Sequence, residues 1–103
     1  MILRTGLLLG LTLAAFGAGS PKRHAVTMAQ FQFAPRVLHV SVGDTVVWVN
    51  HDIVPHTATA NDKKFDSGDI PAKAQRTTVM RSKGEHTFIC LYHSNMKGKV
   101  VVD

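Results

Sequence analysis

Cys90 is the only cysteine in this 103-residue chain. A single thiol excludes an internal disulfide framework and any zinc site built on two or four cysteines. Charge of one sign is scarce as well: twelve Lys and Arg against seven Asp and Glu leave +5, with no long basic run. A nucleic-acid binder gathers such an excess on one helix or stripe, so that class is disfavoured. No apolar run reaches the ~20 residues that cross a bilayer comfortably. After the N-terminal segment no window shows helical periodicity. At ~100–200 residues per domain the length leaves no room for a second one. What is present, 45% apolar and 18% charged residues, is the balance of a globular chain rather than a disordered one.

The N-terminal segment reads as an address. Arg4 precedes the uncharged stretch Thr5 to Ala18, TGLLLGLTLAAFGA, and small residues follow the apolar core. A basic start, an apolar run of ~12 residues and a small-residue site describe a secretory signal peptide over 1–19, cleaved after Gly17 or after Gly19. An uncleaved membrane anchor is the competing reading of the same residues. Removal leaves about 84 residues, 24–103 forming the domain, and a net charge of about +4. A chain of that size buries only ~60% of its unfolded surface. Exported small domains compensate with disulfides or a metal, and disulfides are excluded here.

The remainder reads as short strands. Segment 37–42, VLHVSV, alternates Leu38, Val40 and Val42 with Val37, His39 and Ser41, and 45–50, TVVWVN, puts Val46 and Trp48 on one side. Further candidates are 26–33, 56–60, 75–80, 86–90 and 98–102, separated by turn chemistry such as Ala34-Pro35, Asn61-Asp62, Asp66-Ser67-Gly68-Asp69 and Ser82-Lys83-Gly84. Period-2 patterns at this spacing predict an all-β antiparallel sandwich or barrel of about seven strands.

Metal-binding residue types concentrate near the C-terminus. Cys90, His93 and Met96 stand three residues apart in ICLYHSNMK. A thiolate, an imidazole and a thioether in one tight loop can face a common centre. A second imidazole would complete a trigonal His₂Cys set with a long axial Met, the arrangement of an electron-transfer copper site. His56, in NHDIVPHT directly after Pro55, is the best candidate, because proline restricts the backbone before the ligand.

With these residues in hand, the chain resembles the cupredoxins, the small blue copper proteins, and is most similar to their amicyanin and plastocyanin-like branch. The resemblance is carried by FAPRVLHVSVGDTVVWVNHD at 33–52, VPHTATA at 54–60, FDSGDI at 65–70 and GEHTFICLYHSNMKGKVVV at 84–102. It implies a Greek-key β-sandwich of seven to eight strands with one copper ion at one end, held by His56, Cys90, His93 and Met96 and cycling between Cu(II) and Cu(I). It implies that the edge of His93 is the electron port and that Asn50 braces the turn leading to His56. It also implies an electron carrier of the periplasm, monomeric and not an enzyme. The partners are redox proteins, donor and acceptor unidentified, whose docking surfaces could be acidic. Three departures stand out. Thr57 stands where many relatives have Asn after the first His, although its side chain can still bond to the Cys90 loop. Leu91-Tyr92 fills places where relatives often have Thr-Pro, and Ser94-Asn95 is more polar than the pair in some relatives, which argues against a strongly hydrophobic docking patch.

Other readings remain open at this point. Cys90 shares a strand face with Phe88 and could be plain core. Cys90 and His93 could form a nucleophile–base pair. The site could hold zinc, or the protein could hand on copper rather than electrons. Met28 and Met80 read as core, His39 and His86 as exposed or satisfied, His51 as a solvent loop residue. His24 has no assigned role. Lys63, Lys64, Lys73, Lys97 and Lys99 read as solvated charges able to steer an acidic partner.

Overall fold

A computed structural model describes residues 19–103; the proposed signal segment lies outside the described residues up to position 18. Eight strands follow one another: β1 Arg23–Ala29, β2 Gln32–Ala34, β3 Val37–Val40, β4 Thr45–Asn50, β5 Thr59–Ala60, β6 Gln75–Val79, β7 Gly84–Cys90 and β8 His93–Val102. They form two four-stranded sheets, ordered β2-β1-β4-β6 and β3-β8-β7-β5. Among the described residues no helix is long and apolar enough to cross a membrane.

The alternation in the sequence becomes the two faces of each sheet. In β4, Val46, Trp48 and Asn50 are buried while Thr45, Val47 and Val49 are half-buried. Between the sheets Trp48, Phe33, Phe65 and Phe88 interlock. Phe33 and Phe88 meet at 4.7 Å and 73°, Trp48 and Phe88 at 5.1 Å and 69°, the tilted geometry that aromatic quadrupoles favour. The indole N–H of Trp48 donates to Thr78 Oγ1 at 2.9 Å, so the largest core residue leaves no polar atom unpaired. Met28 and Met80 are buried in the same core. Gly98 makes room for this packing: a Cβ there would run into the Phe88 ring and stand 2.9 Å from the Arg36 carbonyl.

Five expectations need correction. The sandwich is not purely antiparallel, because β1 pairs with β4 and β3 with β8 in parallel; a Greek-key path crosses between sheets and can bring strands together in the same sense. The segment 26–33 is not one strand but a hairpin, broken at Gln30 and Phe31, whose φ angles are 53° and 60°. The strand at 37–42 stops at Val40, and Val42 is exposed beside the Asp44 turn. Of 56–60 only Thr59–Ala60 is strand; His56 makes an isolated bridge to Ile70 instead. In the other direction β8 begins at His93 rather than at 98, so the expected ligand loop is a tight hairpin with Leu91-Tyr92 at its tip.

Candidate metal centre

Two buried networks converge at the end of the sandwich where β4 and β7 finish. The first starts at Asn50, 1% exposed. Its amide nitrogen donates to the carbonyls of Val54 at 2.9 Å and Ile70 at 3.0 Å, and its oxygen accepts from the Asp52 N–H at 2.9 Å. That amide therefore braces the turn into His56. His56 and Ile70 exchange both backbone hydrogen bonds, at 3.1 and 2.8 Å, which fixes the candidate ligand's main chain.

The second network fixes its ring. His56 Nε2 stands 2.8 Å from Asp52 Oδ2. A carboxylate only accepts, so Nε2 carries the proton and a neutral ring leaves Nδ1 with a bare lone pair. Burial pushes the Asp52 carboxyl up, but hydrogen bonds from His56, Phe31 and Gln30 outweigh it and hold the group below the usual carboxylate value. Nδ1 then points at Cys90 Sγ, 3.6 Å away, with both side chains fully buried. The sulfur also accepts the Thr57 backbone N–H at 3.4 Å. From the other side Thr57 Oγ1 accepts the Leu91 N–H at 2.9 Å and donates to Thr59 Oγ1, which passes its own proton to Asp66. One hydroxyl chain thus ties the His56 segment to the Cys90 hairpin.

His93 is half-buried on the far side of that hairpin, its ring 5.3 Å from the His56 ring at 74°. Met96 is 2% exposed, on the inward face of β8. His56 and Cys90 are therefore in contact, while His93 packs against His56 ring to ring. Among the described residues no three His, Cys, Asp or Glu side chains are drawn into a closed cluster. Nδ1, thiol and thioether are soft or borderline donors, and the second nitrogen of His56 is already occupied. That chemistry fits copper and leaves no carboxylate available as a hard ligand.

The family model described as a cupredoxin-like domain matches residues 2–102. The chain belongs to the cupredoxin family. Amicyanin of Paracoccus denitrificans is 31% identical over 88 residues, covering 76% of this chain and 63% of that protein. Plastocyanin of a Synechococcus strain is 27% identical over 90 residues, covering 73% of this cupredoxin and 66% of that protein. The cupredoxin thus spans a little under two thirds of these curated relatives. Among solved structures, an oxidised proline-to-alanine mutant of amicyanin superposes with a TM-score of 0.71 at 27% identity, over 79% of this chain and 82% of that one. A purple cupredoxin of Nitrosopumilus maritimus shares the fold at a TM-score of 0.71 and 23% identity, over 78% and 99% of the two chains. The cofactor that goes with the family and with this donor set is one copper ion.

Sequence reasoning located the candidate ligands and, with Asn50 and Thr57, part of what surrounds them. Asp52 was missed, although a carboxylate four residues before a candidate ligand His is a usable signal. So was Phe31, whose ring lies 5.4 Å from His56 and 4.7 Å from His93; nothing local in the sequence marks it. Tyr92 donates its hydroxyl to Asp69, tying the hairpin tip to the 66–70 loop beside Ile70. The expectation of a weakly apolar end is also corrected. Of the seven exposed large hydrophobics among the described residues, Phe31, Ile53, Leu91 and Tyr92 lie on segments that carry or flank candidate ligands. The remaining histidines are accounted for: His24 pairs with Asp44, His86 with Asp62, and His39 and His51 are exposed. Lys99 is not a free solvated charge but pairs with Glu85 at 3.1 Å, and Lys73 Nζ donates to the His51 carbonyl at 2.7 Å.

Proposed function

We propose that this cupredoxin is a blue copper electron carrier of the periplasm, in which His56, Cys90, His93 and Met96 hold one copper ion. The observation that carries the reading is the buried contact between His56 Nδ1 and Cys90 Sγ, with Nε2 committed to Asp52. An inert core cysteine has no need of a neighbouring imidazole whose free lone pair is aimed at it. Copper, when bound, supplies a one-electron couple between Cu(II) and Cu(I).

Each residue has a distinct task. Cys90 gives the thiolate, and the Thr57 N–H steadies its charge. Asp52 keeps His56 in one tautomer and one orientation. Met96, buried against the core, would offer the weak thioether donor that tunes the potential. His93, half-buried and flanked by Leu91 and Tyr92, brings the site within reach of a docked protein. Held by the hydrogen-bonded frame, the donors need not rearrange when charge changes. With four protein donors, no position is left for a substrate, which favours a carrier over an enzyme.

Residues 1–19 would direct export and 24–103 would form the functional domain. The partners are other redox proteins, met through the apolar rim of Phe31, Ile53, Leu91 and Tyr92. The Tyr92–Asp69 bond stands in for the rigidity that a proline at 92 would give.

Adding Cu(II) to the metal-free protein should produce an intense visible band and the narrow copper hyperfine splitting of a thiolate site. Cys90→Ser should lose both entirely. A colourless Cu(II) complex of the folded wild type would overturn the reading. Rapid handover of copper to a competing chelator, with no electron exchange, would instead favour a copper carrier.

A further inference from the structure

The β1–β2 turn departs furthest from what its residues prefer. Gln30 and Phe31 both have φ in the left-handed region, at 53° and 60°, where Asn and Gly sit readily and a bulky aromatic does not. Such backbone persists only where its surroundings over-determine it. Here Asp52 does so: Oδ1 accepts the Gln30 N–H at 2.7 Å, and Oδ2 accepts the Phe31 N–H at 3.0 Å. The same Oδ2 accepts from His56 Nε2 at 2.8 Å. One carboxylate therefore clamps a strained turn and a candidate ligand together.

The strained turn carries an aromatic ring that core packing does not explain, since Phe31 is 47% exposed. Its ring stands edge-on to His93, at 4.7 Å and 82°, and to His56, at 5.4 Å and 83°. It is the one side chain among these contacts that touches both imidazole rings. We propose that Phe31 is a positioning residue for the metal centre: held by Asp52, it walls the two imidazoles and limits how readily His93 swings away and copper leaves. This rests on His56 and His93 being ligands. His93 sits directly behind the hairpin tip, and an edge-to-face neighbour restricts rotation of its ring without taking a nitrogen from the metal.

Three variants separate the ring from the turn. Phe31→Asn suits the left-handed φ and removes the ring; Phe31→Leu removes the ring and keeps an apolar side chain; Phe31→Tyr keeps the ring. The first reading is the imidazole proton shifts of His56 and His93 by NMR in the metal-free full chain. They should move in the Asn and Leu variants and stay close to wild type in the Tyr variant. The second is transfer of Cu(I) from the loaded protein to bathocuproine disulfonate. It should speed up about three- to tenfold in the Asn and Leu variants, the size of an aromatic pair contact, and change less than twofold in Tyr. If Phe31→Asn does not fold, Phe31→Leu carries both readings. Wild-type imidazole shifts and transfer rates in the ring-less variants would overturn the proposal alone, with the copper site intact. A wild type that binds no copper would overturn the ligand assignment and the proposal together, and the spectrum of the loaded wild type tells the two failures apart.

Discussion

His56 and His86 are both buried, and each sets one ring nitrogen against an aspartate, Asp52 at 2.8 Å and Asp62 at 2.6 Å. They differ in what meets the second nitrogen. At the metal end, His56 Nδ1 faces the Cys90 sulfur, a group that a metal can bridge. On the flank, His86 Nε2 faces the Ser82 carbonyl at 2.8 Å. A carboxylate and a carbonyl can only accept, so His86 must donate from both nitrogens, which only the imidazolium does. Burial pulls the His86 imidazolium toward neutrality, but the bonds to Asp62 and Ser82 overcome this and raise it above the ordinary value. Burial likewise raises Asp62, and the His86 and Lys64 hydrogen bonds outweigh it, leaving that carboxyl lowered. The same residue pair thus leaves one histidine with its second nitrogen facing a sulfur and makes the other a charged clasp. The second nitrogen's neighbour decides which.

The sharpest way to break this comparison is to swap both histidines. His56→Gln should abolish the intense copper band completely, while His86→Gln should leave it intact and lower stability by about 1–2 kcal/mol, roughly 5–10 °C in Tm. Titration and thermal melts separate the two. A copper spectrum lost equally in both variants would mean that the flank is not merely structural.

A smaller effect is expected in the pH profile. Because the folded His86 value is raised, its contribution is complete below the ordinary value of 6.5 and fades as pH climbs through the raised value. Because Asp62 is lowered, its contribution is present above 3.8 and fades as pH falls through the lowered value. Metal-free protein should therefore be most stable between these limits and weaken toward mild alkali. Asp62→Asn should flatten the alkaline slope in denaturant melts; an unchanged slope would remove the charged clasp.

Within the metal end, Thr57→Val deletes the hydroxyl that accepts from Leu91 and orphans that N–H. A loss of about 1–2 kcal/mol in the metal-free protein is expected, together with a measurable shift in the copper band, because the hairpin holding Cys90 loses its tie. A stability loss with an unmoved band would confine Thr57 to structure.

The smallest effect lies at the opposite end of the sandwich, with a third such pair. Asp44 accepts from the backbone N–H groups of Lys22 and Ser41 and from His24, which lower its carboxyl to about 2. Its contribution is complete above 3.8 and disappears as pH falls through about 2. Asp44→Asn should weaken the protein near neutral pH and leave the difference from wild type small below that value. Acid melts of the two proteins measure it.

How legible the molecule was depends on the range of the interactions. Strand β4 was read at its true bounds, because Thr45–Asn50 alternates strictly between turn residues. The candidate ligands Cys90, His93 and Met96 were readable because they lie within one hairpin; Asn50 does what the resemblance implied, and Thr57 makes the bond to the Cys90 loop that its side chain allows. The 26–33 segment misled, since its alternation continues through a turn that carries no Gly, Pro or Asn. That turn is specified by Asp52, over twenty residues away. His86 could be read only as exposed or satisfied, because its partners sit in two other turns.

The sequence by itself determined the all-β class, the absence of disulfides and the set of soft donors that names the cofactor. These follow from residue type and from spacing along a few neighbouring positions. Only the tertiary structure decided that β1 and β4 run parallel, that Asp52 joins a candidate ligand to a strained turn, and that one buried histidine turns its second nitrogen to a sulfur while another is a charged clasp. Those outcomes depend on which groups meet across the sandwich, and a hydrogen bond between residues 20 or more apart leaves no periodicity to read.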